Sequence, residues 1–425
     1  MSARKCVPAS RRSVLLGTLA GSLAACSARR GDGTERAALW YAYGGKNREV
    51  LERLLRRFHS DPRHPRIDAT FQGDYFESLA KVRTAIAAGA APAMTHVVAE
   101  VVPYLAEAGA LEPLDGYEGA AELDLIPGLA QSGSYQGGAE RPLYAVPFNR
   151  SVPIMYVNGA MLERARLDVP RDWSELRAAA NALTVRRGAE IVVWGFECPV
   201  SWWFWVALLA SAGGSVVDER GTVTLGGQAG VRALDLWQAL IHRDRVMRPP
   251  LGRDYNAWQV GTQDFLAGRA ALLWSSTAFL RYIEENARFP VKVAPLPRDV
   301  RHAVPNGGTL FVLLRAAEER EKRAAWQFLR WMTQREQTIE WATSTGYIPV
   351  TRGAVTELER TGYYDAHSND KVVLGELDAI EPWPWSPTLF RVQREIMDPL
   401  LEDAVLSHTD AAEALAKGRR EARLP

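Results

Sequence analysis

Short β-prone runs alternate with stretches of helical periodicity along almost the whole chain, and this alternation narrows the available folds more than any other feature. Ala38, Leu39, Trp40 and Tyr41 read as a strand. Val50, Leu51, Leu54, Leu55 and Phe58 then recur at helical spacing within 47–59, and Asp61-Pro62 stops that segment before an alternating strand over 67–71. This is one βαβ unit. A second helix through Phe76, Leu79, Val82 and Ile86 ends near Gly89, and 94–99 follows as a buried strand, so the chain opens with a wound parallel sheet. From about residue 150 the alternation repeats: strand 153–157, helix 173–183, strand 191–196, helix 203–212 and a long helix 229–242. Residues 264–269 read as a helix end capped by Gly268, followed by a strand over 270–274 that runs into Ser275-Ser276. Helical segments dominate from 318 onward. The class is α/β.

Length adds a second constraint. Single hydrophobic cores stop growing near about 250–300 residues, so a chain of 425 calls for two compact lobes. No internal repeat, low-complexity tract or Pro/Gly/Ser-rich linker divides it, which points to interleaved lobes with the chain crossing more than once.

The first residues read as a targeting segment. Arg4, Lys5, Arg11 and Arg12 precede an apolar stretch over 14–25 that ends in Leu23-Ala24-Ala25-Cys26, the order of an export signal closing on a lipobox. The stretch is well short of the roughly 20 apolar residues that cross a bilayer. Residues 1–25 are expected to leave as signal peptide, Cys26 to carry a diacylglyceryl group, and 26–36 to form a polar tether. Arg11-Arg12 after Ser10 matches a twin-arginine signal as well as an ordinary secretory one. Of three cysteines, only Cys198 remains as a thiol in the folded part, so no disulfide is expected there.

With 51 basic against 50 acidic residues, nothing points to a nucleic-acid partner or a basic membrane-binding face. Gly-rich phosphate loops, G-x-S-x-G elbows and H-E-x-x-H helices are missing from the sequence. His59 and His64, the closest histidine pair, straddle a Pro-containing turn and read as solvated surface residues; neither a metal nor a cofactor is expected. Trp202, Trp203 and Trp205 open a helix together. Neighbours on a helix point about 100° apart, so at least one of the three should face a cleft, where rings stack on C–H faces of a sugar or polyol.

Several segments, in order and spacing, resemble the family 1 extracellular solute-binding proteins, and within them the glycerol-3-phosphate and glycerophosphodiester binders. They are Phe71-Gln72-Gly73-Asp74-Tyr75 with the helix to Gly89-Ala90-Ala91-Pro92, Pro147-Phe148-Asn149-Arg150-Ser151-Val152-Pro153, residues 265–276, Gly307-Gly308, and Thr345-Gly346-Tyr347-Ile348-Pro349-Val350. The resemblance implies a two-lobe periplasmic-binding-protein fold with interleaved lobes: 37–148 plus 276–309 as the first, 152–273 plus 313–425 as the second. It implies hinge crossings near 147–153, 274–277 and 308–313, and a ligand held between the lobes. Carried over residue by residue, it implies binding roles for Tyr75, Glu100, Ser151, Trp203, Ser275, Gly308, Tyr347 and Arg391.

Three departures bear on the ligand. Arg391 meets the family's phosphate-binding arginine only if one residue is inserted. The first-lobe carboxylate falls on Ala99, with Glu100 one place later. Val200 stands where the family has a second tryptophan opposite Trp203. The resulting expectation is the solute-binding lipoprotein of an ABC importer, not an enzyme: an extracytoplasmic, lipid-anchored monomer that delivers a small polyol phosphate to an inner-membrane permease with its ATPase subunits. A neutral mono- or disaccharide is the alternative solute, and an exported carbohydrate-active enzyme the distant alternative.

Overall fold

The computed structural model describes residues 35–135, 142–252, 254–407 and 409–423. The expected export signal and the lipidated Cys26 lie outside them. Strands run in chain order as β1 (Arg36–Tyr41), β2 (Arg66–Phe71), β3 (Met94–Val98), β4 (Ala145–Ser151), β5 (Pro153–Asn158), β6 (Val185–Arg187), β7 (Glu190–Glu197), β8 (Met247–Arg248), β9 (Ala270–Ser276), β10 (Val291–Ala294), β11 (Val304–Pro305), β12 (Gly307–Leu313) and β13 (Ile380–Glu381).

Ala37, Leu39 and Tyr41 bury one face of β1, and the helix Gly45–Phe58 that follows buries Val50, Leu51, Leu54, Leu55 and Phe58, the apolar positions its spacing picks out. The next helix, Tyr75–Ala87, begins at a capping box: the Asp74 carboxylate accepts from the Phe76 and Glu77 backbone N–H groups at 2.8 Å, and the Glu77 side chain reaches back to the Asp74 N–H. β1 runs parallel to both β2 and β3, as the βαβ reading requires. The sheet is completed from far along the chain, in the order β2-β1-β3-β12-β4, with β12 antiparallel to both neighbours. It is therefore mixed, because its last strands arrive through the crossings.

The second sheet has the order β10-β5-β9-β7-β6, with β8 beside β7. β5 and β9 are buried along their whole length, the pattern of strands covered on both faces. Ser201 precedes the helix Trp202–Ser211, whose residues are nearly all buried, and helix Gln228–Gln238 continues through a wider π turn over Ala239–Arg243. Gly268, at φ +70°, ends the helix before β9 as expected.

The lobe boundaries need correction. The stretch 276–309, expected in the first lobe, contains β10, which pairs with β5 in the second sheet. The helix Glu319–Met332, expected in the second, packs on β1 of the first and buries Ala324, Ala325, Phe328, Leu329 and Met332 there. Helix Arg335–Thr345 packs on Gly45–Phe58, whereas helix Ser368–Gly375 packs on β10 of the second sheet and the terminal helices Asp398–Ser407 and Ala411–Ala422 settle on Gln228–Gln238. Periodicity marks an apolar helix face but not which of two sheets it covers. His59 and His64 are half-buried rather than simply solvated: the His59 Nε2 accepts from the Ile67 N–H at 3.0 Å, and His64 Nδ1 lies 2.8 Å from the Phe58 carbonyl, so both tie the turn between helix and β2.

Candidate functional site

β4 enters β5 through Val152, and the Thr277 N–H, just past β9, donates to the Val152 carbonyl at 3.1 Å; at the same level β12 begins at Gly307, opposite Ser151. Around this crossing lies a cleft of about 550 Å³. Loops at the ends of β1, β2 and β3 bring Tyr43, Lys46, Tyr75, Phe76 and Glu100 to it. The crossing strands bring Ser151, Ser276, Gly307 and Gly308, and the far wall is built from Trp203, Tyr255, Trp258, Phe279 and Tyr282. Gln393, Arg394 and Asp398 close it from the C-terminal segment, and Tyr347 completes the floor.

Asn149 organises the floor. Its Nδ2 donates to the hydroxyl oxygens of Tyr75 at 3.3 Å and Tyr347 at 3.4 Å, while its Oδ1 accepts from the Tyr43 hydroxyl and the Thr309 N–H, each at 3.1 Å. Burial raises the phenol pKa of Tyr75 and Tyr347, so both stay neutral hydrogen-bonding groups. Asp74, rather than Tyr75, caps the helix, which frees the Tyr75 ring to stand edge-on to His96 with centroids 5.7 Å apart.

The offset at Ala99 resolves through local structure. β3 ends at Val98, and Glu100 already has helical backbone angles (φ −66°, ψ −20°), so strand alternation no longer dictates its direction. Its carboxyl lines the cleft at 7% exposure. Burial pushes its pKa up to about 7, opposed first by a hydrogen bond from its own backbone N–H and then by the charge of Arg150, and reinforced by Asp398.

Of the three clustered tryptophans, Trp202 and Trp205 are buried in the core, while Trp203 is half-buried on the cleft wall and donates from Nε1 to the Asn306 carbonyl at 3.3 Å. A β-carbon on Gly307 would come within 2.5 Å of the Trp203 ring, and one on Gly308 within 1.7 Å of the Asn149 carbonyl oxygen. Both glycines are needed for the backbone to approach this closely. Trp258 leans on Trp203 at 5.4 Å between centroids and stacks within 10° of Phe279 at 6.3 Å. Trp258 and Phe279 thus join the expected Trp203 in an aromatic wall, while Val200, at the position of the family's second tryptophan, does not line the cleft.

Six of the eight expected residues therefore meet at one cleft: Tyr75, Glu100, Ser151, Trp203, Gly308 and Tyr347. Ser275 does not. It pairs with Ile154 inside the second sheet, its hydroxyl buried, and the next residue, Ser276, faces the cleft, as alternation along a strand demands. Arg391 does not line the cleft either; its guanidinium donates to the Ala422 carbonyl at 3.4 Å. The π turn Val392–Met397 carries the next arginine to another face. Arg394 lies on the cleft, its guanidinium carbon 3.9 Å from the Phe76 ring centroid and its Nη1 donating to Asp398 at 2.9 Å. The floor thus offers a carboxyl, phenols, a serine hydroxyl and glycine backbone, the wall offers ring faces, and the rim offers a guanidinium. The cleft combines groups suited to hydroxyls with a guanidinium, itself paired with Asp398.

The model of the bacterial extracellular solute-binding proteins matches residues 63–366. Over 369 residues the chain is 24% identical to the sn-glycerol-3-phosphate-binding periplasmic protein UgpB of Yersinia pestis bv. Antiqua (strain Antiqua), covering 82% of each. Its fold matches that of UgpB from Mycobacterium tuberculosis in complex with glycerophosphocholine, with TM-score 0.81, 23% identity, and 92% and 98% of the two chains covered. It also matches maltose-bound T. maritima MalE3, with TM-score 0.79, 22% identity, and 91% and 99% covered.

Proposed function

The chain belongs to the bacterial extracellular solute-binding proteins, and from that premise we propose that it captures a small polyol phosphate in the cleft, glycerol-3-phosphate or a glycerophosphodiester, and hands it to an inner-membrane ABC permease. The observation that carries this reading is the mixed lining of the cleft: Glu100, Tyr75, Tyr347 and Ser151 together with the guanidinium of Arg394, which lies over Phe76 and is paired with Asp398. A carboxylate and phenols suit the hydroxyls of a polyol, and a guanidinium grips phosphate through two parallel N–H···O bonds. Closure turns about the crossings at 147–153 and 274–277 and a third at 306–308, ahead of the expected 308–313 because Gly307–Leu313 is already β12 of the first sheet, and it buries the solute. The relatives support the choice: one is named for glycerol-3-phosphate, and one was crystallised with glycerophosphocholine.

The aromatic wall of Trp203, Trp258 and Phe279 favours a second reading, a neutral mono- or disaccharide stacked on its rings, and one structural neighbour holds maltose. A thermal-shift series on the lipid-free chain with glycerol-3-phosphate, glycerophosphocholine, maltose, trehalose and glucose separates the two, because a bound solute stabilises with the logarithm of its excess over Kd. A shift with the phosphates that Arg394→Ala abolishes supports the first reading. A shift with sugars alone discards it and leaves Arg394 as the clamp on Asp398.

The same reading makes the chain an extracytoplasmic monomer tethered by a lipid on Cys26, exported by the general secretory or the twin-arginine route. Cys26→Ser then moves the chain from the membrane fraction to the soluble one; an unchanged fractionation removes the anchor.

A further inference from the structure

The proposed contacts use Glu100 but leave Arg150, directly behind the floor, without a role. Arg150 sits near the end of β4, opposite Gly308 of β12, and its carbonyl accepts from the Ile348 N–H at 2.8 Å. Its side chain is 0% exposed, and none of its three guanidinium nitrogens has a hydrogen-bond partner among the described protein groups. A guanidinium removed from water in this way is costly unless a charge answers it. The groups that face it are Glu100 first, then the phenols of Tyr75 and Tyr347, and all three line the cleft. Glu100 in turn faces Arg150 from β4 and the Asp398 carboxylate from the C-terminal segment. A solute entering the cleft meets Glu100 but not Arg150, whose nitrogens are sealed beneath the floor.

We propose that Arg150 is the buried counter-charge that favours the ionised form of Glu100 on the cleft floor against its burial, so that the site takes ligands presenting hydroxyl donors to a carboxylate and couples their capture to proton release at that carboxyl. This rests on the solute-binding reading above and deepens it. Ionised, the Glu100 carboxyl is an acceptor at both oxygens and suits two neighbouring hydroxyls of a polyol; protonated, one oxygen becomes a donor and that match is lost. Arg150 remains charged through neutrality, because burial lowers its pKa only to about 10. Glu100 changes charge near pH 7. The sign follows: binding is strongest above that midpoint and weakens as pH falls through it, by up to about tenfold per pH unit, with the proton lost on capture passing to the buffer.

Two measurements on the mature chain test this. Calorimetric titration with glycerophosphocholine, and with maltose as second probe, from about pH 5.5 to about 8.5 should show affinity rising with pH, and Glu100→Gln should bind more weakly with a flat profile. Independently of any ligand, the infrared carboxyl band that Glu100→Gln removes should titrate near pH 7 in the wild type. Arg150→Met, similar in length but uncharged, should move that midpoint above about 8, and Arg150→Lys should bring it back toward the wild-type value. A midpoint unchanged in Arg150→Met overturns the proposal, since a merely structural arginine would lower stability without moving it. If the methionine variant does not fold, a pH dependence that survives in Glu100→Gln does the same. If neither probe binds at any pH, it is the assigned solute classes that fall, and the infrared midpoint still decides the coupling.

Discussion

Gly308 has φ +77°, and a β-carbon there would overlap the Asn149 carbonyl oxygen, so Gly308→Ala combines left-handed strain with a backbone clash. Gly45 has φ +51° but nothing within 4 Å of its would-be β-carbon, so there the strain acts alone. In urea unfolding, Gly308→Ala is expected to cost about 2–4 kcal/mol and Gly45→Ala about 1 kcal/mol; equal losses would show that the crossing relaxes around the new methyl. Glycine pairs of this kind are legible because the residue type itself reports the constraint. Direction within an element is not. Ser275 and Ser276 are chemically identical in sequence, and only the pairing of Ser275 with Ile154 shows which one faces the cleft. Arg391 precedes, and Arg394 lies within, a π turn that local spacing does not announce, and Trp258 reaches Trp203 from a helix 55 positions away in the chain, a proximity that exists only after folding.

Elements whose signals are local came through intact: the helix Tyr75–Ala87 starts where Asp74 and Glu77 form a capping box, and β1, β2 and β3 fall where their apolar runs lie. Removing the cap with Asp74→Ala should cost about 1 kcal/mol of stability, and Asp74→Ser should recover most of it. Tyr75 is the first residue of that helix, so the alanine variant should also weaken solute binding while the serine variant restores it; calorimetry on both checks whether the cap positions the phenol. Elements whose reason is remote were harder to read. β10 is the short run Val-Lys-Val-Ala, with too little alternation to stand out, and it is a strand because β5 offers it an edge. The helix Glu319–Met332 is unmistakable as a helix, yet its burial against β1 depends on a sheet assembled from four other parts of the chain. For this reason the expected lobe boundaries were displaced while the helices themselves were not.

At the scale of the whole molecule, interleaving was legible from the lack of any linker, and the two sheets do exchange chain through β4, β5, β9 and β12. What such a topology leaves to side chains is the balance between open and closed lobes. Lys46, a cleft residue at the start of the helix that follows β1, forms an ion pair with Glu285 on the helix Leu280–Asn286 that follows β9 and brings Tyr282 to the cleft, so the pair ties together two elements that line it. Its side chains are 31% and 54% exposed, which places it in solvent-screened surroundings worth at most about 1 kcal/mol. A pair that favours closure only by this amount biases the equilibrium without locking it, as capture and release both require. Glu285→Lys should therefore weaken solute binding by about fivefold or less, and the gap between variant and wild type should close in about 1 M salt, where charges are screened within about 3 Å. A larger loss that salt does not touch would mean that Glu285 supports the wall of the cleft itself, through the helix that also carries Tyr282, and that closure is governed by the crossings alone.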